Sequence, residues 1–282
     1  AAGDFRIFWD NAYAVHHLYD KGDELLNIYD ECVKAGNPDL PIIFTSTSKI
    51  TFPGAGVAVE AASPNNVSLL KERMKYQTIG PDKLNQLRHA RMFKTPADIE
   101  RHMKRHADIL RPKFETVISE LEKQLDGTGI ARWTNPRGGY FISLYVLDGC
   151  AKRVEQLCAN AGMILTPAGA TYPYGVDPDD SNIRIAPSYP SVEEIEKASV
   201  VLCTAVKYAA LEKLIADMDI ANMPEDRVPA LTYFYVREED DRIVGMINIR
   251  LALNDFLRKE GGHIGYSVRP SERRKRYGTQ ML

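Results

Sequence analysis

The chain has 282 residues, 44% hydrophobic and 26% charged, with a formal charge of −2, the balance of an ordinary folded protein of one or two domains rather than a disordered one. Lys and Arg total 36 against 38 Asp and Glu, so nothing in the charge supports wholesale binding to nucleic acid or to an anionic membrane. Cys32, Cys150, Cys158 and Cys203 contain no CxxC pair, which argues against a zinc site, so no metal is expected, and suits small core residues in a reducing cytoplasm.

FRIFWD and PIIFTS read as two short strands. Between them DKGDELLNIYDECVKAGNPDL predicts a helix with Leu25, Leu26, Ile28, Tyr29 and Val33 turned inward. This is a βαβ unit and implies a parallel sheet. GVAVEAAS predicts a third strand. Helices are expected over PNNVSLLKERMKY, PDKLNQLRHARMF and the long TPADIERHMKRHADILRPKFETVISELEKQL, which Pro112 should kink or divide. From Ile130 the pattern changes: strands IARWT and GGYFISLYVL, helix AKRVEQLCANAG, loop PAGATYPYGVDPDD, strand NIRIAPS, and a helix from SVEEIEKASV onward. These predict a smaller α+β lobe. DMDIANMPEDRVPA reads as a linker, ALTYFYVREEDDRIVGMINIRLAL as a hairpin, and GGHIGYSVRP as one more strand.

The expected organisation is therefore α/β: part of a large domain over 1–95, a small domain with its long connecting helix over 96–216, a linker over 217–229, and an antiparallel segment over 230–282. No apolar run reaches membrane-spanning length and AAGDFRIFWD lacks a signal-peptide pattern, so a cytoplasmic protein is expected. AAGDFRIFWDNAY enters a strand pattern at once and RRKRYGTQML stops as a helix starts, which reads as a fragment or a fusion.

FTSTSKITFPGAG carries Lys49 just beyond the second strand, and WDNAY carries Asp10 and Tyr13 just beyond the first. Parallel pairing brings all three to one sheet edge. A carboxylate, a phenol, an amine and the hydroxyls of Ser46 and Ser48 are the groups that pyridoxal 5'-phosphate needs, since each addresses a different part of that cofactor. Singly, each has a plainer reading: Lys49 as a solvated charge, Asp10 as a helix cap, Tyr13 as a core aromatic.

At these residues the chain resembles the fold-type I PLP-dependent aminotransferases, and most closely a bacterial class resembling aspartate aminotransferases, over roughly Ala1 to Ala216. The resemblance implies a partial PLP-transferase large domain, an amino acid and a 2-oxo acid as substrates, and a homodimer. It makes Lys49 the Schiff-base lysine and proton shuttle, Asp10 the partner of the pyridine nitrogen, Tyr13 the ring-oxygen donor, and Ser46 and Ser48 phosphate contacts. NPRGGYF resembles the glycine-rich entry to a small-domain strand. NIRIAPS resembles the segment whose arginine, here Arg184, clamps the substrate α-carboxylate; the plainer reading of Arg184 is a surface arginine on an edge strand. Gly56 stands near the place where many relatives carry a phosphate-binding arginine. The family's phosphate-cradling loop, stacking aromatic and ring-oxygen asparagine belong to a half that would precede Ala1.

GGHIGYSVRPSERRKRYGTQML resembles the acetyl-CoA pyrophosphate loop of the GNAT N-acetyltransferases, R/Q-x-x-G-x-G/A, over roughly Val228 to Leu282. Arg273, Arg276, Gly278 and Thr279 occupy the pattern, with Arg276 where the first glycine belongs. The plainer reading is a solvated basic turn. The expectation is an aminotransferase-derived chain joined near residue 217 to part of an acetyltransferase-like domain. Its rivals are acetyl-CoA-dependent acyl transfer by the C-terminal piece and a non-catalytic truncated fusion.

Overall fold

A computed structural model describes residues 5–218, 228–240 and 242–282. They divide into two units, Ala1–Thr204 and Ala205–Leu282.

In the first unit, β1 (Ile7–Asp10) and β2 (Pro41–Ser46) run parallel, with Ile7 opposite Pro41 and Asp10 opposite Phe44. The crossover holds α1 (Ile28–Lys34), which starts where the Asn27 side chain accepts the Tyr29 N–H, satisfying one of the unpaired donors of a first turn. This cap corrects the expected inward face. Leu25 and Leu26 precede the helix and are exposed, as is Val33, and within α1 only Cys32 is buried.

β3 (Ala58–Ala62) pairs antiparallel with β2, Ser46 opposite Ala58. The sheet is therefore mixed: β1 and β2 make the parallel pair that the βαβ reading implied, and β3, given no direction from sequence, returns antiparallel. The 47–57 connection holds no helix, and a parallel return requires a longer crossover.

α2 (Pro64–Met74) and α3 (Lys83–Met92) begin at Ser63 and Asp82, whose side chains accept first-turn N–H groups. α4 (Pro96–Leu125) runs through Pro112 as one helix, so the proline does not divide it. Pro112 and Asp108 are both exposed, so the carbonyl that loses its i+4 donor lies on the solvent side, where water can serve it. On the other side Met103, Leu110, Phe114, Val117, Leu121 and Leu125 form one buried stripe.

The second sheet, β4 (Ala131–Trp133), β5 (Ile142–Val146) and β6 (Asn182–Ile185), is antiparallel throughout. Ile142, Leu144, Val146, Ile183 and Ile185 are buried, while Ser143 and its partner Arg184 alternate onto the opposite face. α5 (Ala151–Asn160) buries Val154 and Cys158, and the first turns of α6 (Val192–Met218) bury Ile195 and Leu202. All four cysteines are buried.

The second unit carries an antiparallel meander, β7 (Ala230–Arg237), β8 (Arg242–Arg250) and β9 (Ile264–Val268), with a register shift at Tyr235/Val236. It ends in α7 (Tyr277–Met281). Most of the expected linker, residues 219–227, lies outside the described residues. Among the described residues no helix is long and apolar enough to cross a membrane.

Candidate active site

β1 and β2 end side by side, and the Asn11 N–H continues the ladder to the Phe44 carbonyl at 2.7 Å. Asp10 closes β1 with its carboxylate exposed and accepting the Ala12 N–H at 3.1 Å. Residues 12–15 form a turn, so Asp10 caps a turn and not the helix that its plainer reading supposed.

Lys49 lies in a turn directly after β2. The Ile50 and Thr51 N–H groups both donate to the Thr47 carbonyl, at 2.9 and 2.8 Å. Thr47 Oγ1 accepts the Val57 N–H at 2.8 Å and lies 2.8 Å from His89 Nε2. His89 Nδ1 is 2.8 Å from the Asn85 carbonyl. A carbonyl can only accept, so Nδ1 carries the hydrogen and Nε2 accepts from the threonine hydroxyl. His102 Nε2 donates to the Ile50 carbonyl at 2.7 Å. The Lys49 carbonyl receives Tyr140 OH at 3.3 Å and His16 Nε2 at 3.4 Å. The turn around Lys49 is thus held at its carbonyls from α4, the 11–18 loop and the entry to β5, and at the Thr47 hydroxyl from α3, while Lys49 itself is exposed.

Ser46 Oγ accepts the Ser48 N–H at 3.4 Å. A Cβ on Gly56 would stand 2.8 Å from Ser48 Oγ and 3.0 Å from Ser48 N. The bare glycine lets the two segments touch, and no side chain fits at position 56 without moving Ser48.

The Tyr13 ring lies 5.4 Å from Tyr140, 5.5 Å from His16 and 5.9 Å from Phe141. The Arg184 guanidinium sits 4.6 Å from the Phe141 ring centre, and its Nε is buried without a hydrogen-bond partner. Tyr13 and Arg184 are therefore joined through Phe141, and Tyr13 is joined to the Lys49 backbone through Tyr140 and His16. A cavity of about 320 Å³ is lined by Asp10, Tyr13, His16, Arg137, Gly138 and Gly139 among others.

Burial pushes the His16 pKa below its ordinary value, against the Lys49 and Tyr13 backbone carbonyls, which favour the charged ring. Burial, then the nearby Tyr13 phenol, raises that of Tyr140. Burial, then His102, lowers that of His106.

His16, His89, His102 and Tyr140 are the residues that sequence reasoning missed. His16 is 33 positions from the lysine and Tyr140 is 91, and no local pattern marks them. The one available signal was GGYF itself, read for its glycines and not for its tyrosine.

In the second unit, Arg276 adopts φ 67° and Arg274 φ 66°, so the pattern's first glycine position is left-handed and an arginine occupies it. The Thr279 N–H donates to the Arg276 carbonyl at 3.1 Å. A Cβ on Gly278 would meet the Tyr266 ring at 3.2 Å. Arg273 Nε donates to the Val268 carbonyl at 3.3 Å. The loop is anchored by a residue not singled out from sequence, Glu272, which is buried and paired with Arg237 at 3.1 Å and Lys275 at 2.9 Å. Lys275, then Arg237, holds its carboxyl below the usual range against burial.

Comparison with known proteins follows the division of the chain. The family model described as Aspartate amino-transferase matches residues 1–218, and the Acetyltransferase (GNAT) family model matches residues 206–282. A Mycolicibacterium smegmatis relative is 47% identical over 217 residues, 77% of this chain and 51% of its own. The aspartate aminotransferase of Corynebacterium glutamicum is 47% identical over 212 residues, 75% of this chain and 49% of that protein. The chain thus spans about half the length of the curated relatives it matches. A crystal structure of an aspartate transaminase from Corynebacterium glutamicum superposes with a TM-score of 0.72 at 47% identity, covering 74% of this chain and 50% of that one. The α-aminoadipate aminotransferase of Thermus thermophilus, complexed with N-(5'-phosphopyridoxyl)-L-leucine, shares the fold with a TM-score of 0.59 at 21% identity, covering 73% of this chain and 51% of that one. Over residues 1–218 this chain belongs to the aspartate amino-transferase family.

Proposed function

We propose that residues 1–218 serve a pyridoxal 5'-phosphate-dependent aminotransferase, moving an amino group from an amino acid to a 2-oxo acid. The observation that carries this reading is Lys49: its carbonyl is held from the 11–18 loop and the entry to β5, and its turn also from α4 at the Ile50 carbonyl and from α3 at the Thr47 hydroxyl, while the residue itself is exposed at the edge where Asp10 also ends. The donor set fits the cofactor. Lys49 would hold the aldehyde carbon, Asp10 the pyridine nitrogen, Tyr13 the ring oxygen, and Ser46 and Ser48 the phosphate. When bound, pyridoxal phosphate supplies an electron sink for the pair left on the substrate Cα.

The chain's own residues do the remaining work. Lys49, once its amine is free, would take the Cα proton and deliver it to the cofactor carbon. Asp10 carries the negative charge that keeps a ring nitrogen protonated. Arg184 brings a planar fork with an unserved Nε, suited to a substrate carboxylate. Gly56 offers no cation, and its contact with Ser48 leaves no room for one at that position, so this segment offers the phosphate N–H and hydroxyl donors. By likeness to the Corynebacterium relative, an aspartate aminotransferase, the amino donor is aspartate, and the resemblance to fold-type I enzymes implies a homodimer.

The test is spectral. Adding pyridoxal phosphate to the full chain should give the absorbance of a lysine-bound cofactor, and aspartate should shift it. Lys49→Ala should abolish both; an identical spectrum and shift in Lys49→Ala would refute the assignment.

A second reading concerns residues 206–282. The left-handed turn at Arg276 and the packing of Gly278 on Tyr266 favour acetyl-CoA capture at 273–279. Calorimetric titration with acetyl-CoA tests it, and absence of heat at millimolar ligand would refute it.

A further inference from the structure

We infer that Tyr140 and His16 are positioning residues for Lys49, acting together on its carbonyl oxygen. The inference rests on the proposed role of the Lys49 amine, and it assigns a task to the NPRGGYF segment beyond shaping a strand entry. Lys49 is the only residue of its turn whose carbonyl receives two side-chain donors from different parts of the chain among the described residues. Tyr140 belongs to the entry to β5, and His16 to the loop after β1. A carbonyl has two lone pairs and can accept both.

The two donors are built as one unit. The His16 carbonyl accepts the Gly139 N–H at 2.8 Å, the Leu18 N–H donates to the Arg137 carbonyl at 2.9 Å, and His17 bridges Gly138. A Cβ at Gly138 would stand 2.8 Å from the His16 carbonyl oxygen, and Gly139 has φ 83°. Both glycines are therefore required for this approach: one by space, the other by backbone conformation. With the strands so fastened, the Tyr140 and His16 rings lie 5.2 Å apart and each meets Tyr13. His16 is 3% exposed and its Nδ1 has no hydrogen-bond partner. Its one useful donation is the Nε2 bond to Lys49, and a buried polar ring is costly to retain for packing alone.

The consequence is mechanical. The segment leading into β5 carries Tyr140 and, next to it, Phe141 beneath Arg184, so the segment that sets the arginine also sets the lysine. The carbonyl bonds at 3.3 and 3.4 Å are each long, and the pair together fixes the direction in which the Lys49 side chain leaves the turn.

The experiment uses the full chain as wild type, Tyr140→Phe, Tyr140→Phe with His16→Ala, and Tyr140→Phe with His16→Gln. The glutamine amide restores an N–H near the Nε2 position. Without cofactor, hydrogen exchange across residues 47–52 should quicken about tenfold in the alanine double variant, the scale of two neutral hydrogen bonds lost. It should return to within about twofold of Tyr140→Phe in the glutamine variant, with exchange in α4 and β5 unchanged. With pyridoxal phosphate and borohydride, the share of pyridoxyl adduct on Lys49, against all lysines of the same sample, should fall and recover in the same order. Wild-type exchange in the alanine variant, or equal loss with alanine and glutamine, overturns the inference. A wild-type chain with no preference for Lys49 refutes the proposed function instead, and the exchange arm alone then decides the inference.

Discussion

Gly56→Ala separates a glycine kept for contact from one kept by accident. Gly56 is not among the glycines with positive φ, so alanine can adopt its backbone conformation without strain. At such a position the substitution normally stabilises by about 0.4–1 kcal/mol, because the unfolded chain loses freedom. Here the added Cβ would stand 2.8 Å from Ser48 Oγ, 3.0 Å from Ser48 N and 3.2 Å from its Cα. The hydroxyl can rotate away, but the backbone atoms cannot, since Thr47 on one side is bonded to Val57 and Asn85 holds the Gly56 carbonyl at 3.0 Å. Overpacking of this kind costs about 1–3 kcal/mol. Subtracting the entropic gain leaves a net loss of about 0–2.6 kcal/mol, centred on about 1.3 kcal/mol. Trp9 and Trp133 are the chain's two tryptophans and both belong to the first unit, so their fluorescence in a urea titration reports that unit alone. Gly80→Ala is the control: no atom stands within 4 Å of its Cβ and its φ is ordinary, so it should stabilise. If Gly56→Ala stabilised as Gly80→Ala does, the contact between Gly56 and the lysine turn would carry no weight.

Two further outcomes are expected. His16 is harder to protonate in the folded chain than in the unfolded one because burial lowers its pKa from 6.5. The native state then binds fewer protons, so its stability is complete above that value and declines as pH falls below it toward the folded pKa. Urea midpoints should drop between pH 7.5 and 5, and His16→Gln should flatten part of that slope, His106 keeping its own share; an unchanged slope would contradict the burial argument. Arg276→Gly relieves a left-handed residue at φ 67°, worth about 1–2 kcal/mol against about 0.5–1 for the added chain freedom. Exchange over 264–282 should slow, and slower unfolding should be absent if the arginine side chain, not the backbone, shapes the loop.

The α4 stripe and the alternation along β5 were legible because each buried residue is set by its own neighbours at helical or strand period. The shared edge of Asp10 and Lys49 was legible too, since a parallel pair must end its strands together. The direction of β3 depended on a loop length that the strand pattern does not encode. Leu25 and Leu26 read as helical because they are apolar, yet Asn27 caps the helix after them. Pro112 read as a kink or a division, and the helix runs on through it because the Asp108 carbonyl that loses its donor faces solvent. The grip of His16, His102 and Tyr140 on the lysine turn left no sequence signal beyond the GGYF segment that carries Tyr140, because it arises where separate elements meet. The same holds for Arg184, whose place over Phe141 follows from the pairing of β5 with β6.

The most direct test of the account is to mix the purified chain with pyridoxal phosphate, reduce with borohydride, and locate the modified residue by peptide mass. The expected result is a pyridoxyl adduct concentrated on Lys49, far above any other exposed lysine. Labelling scattered across surface lysines, with Lys49 no richer than the rest, would contradict it.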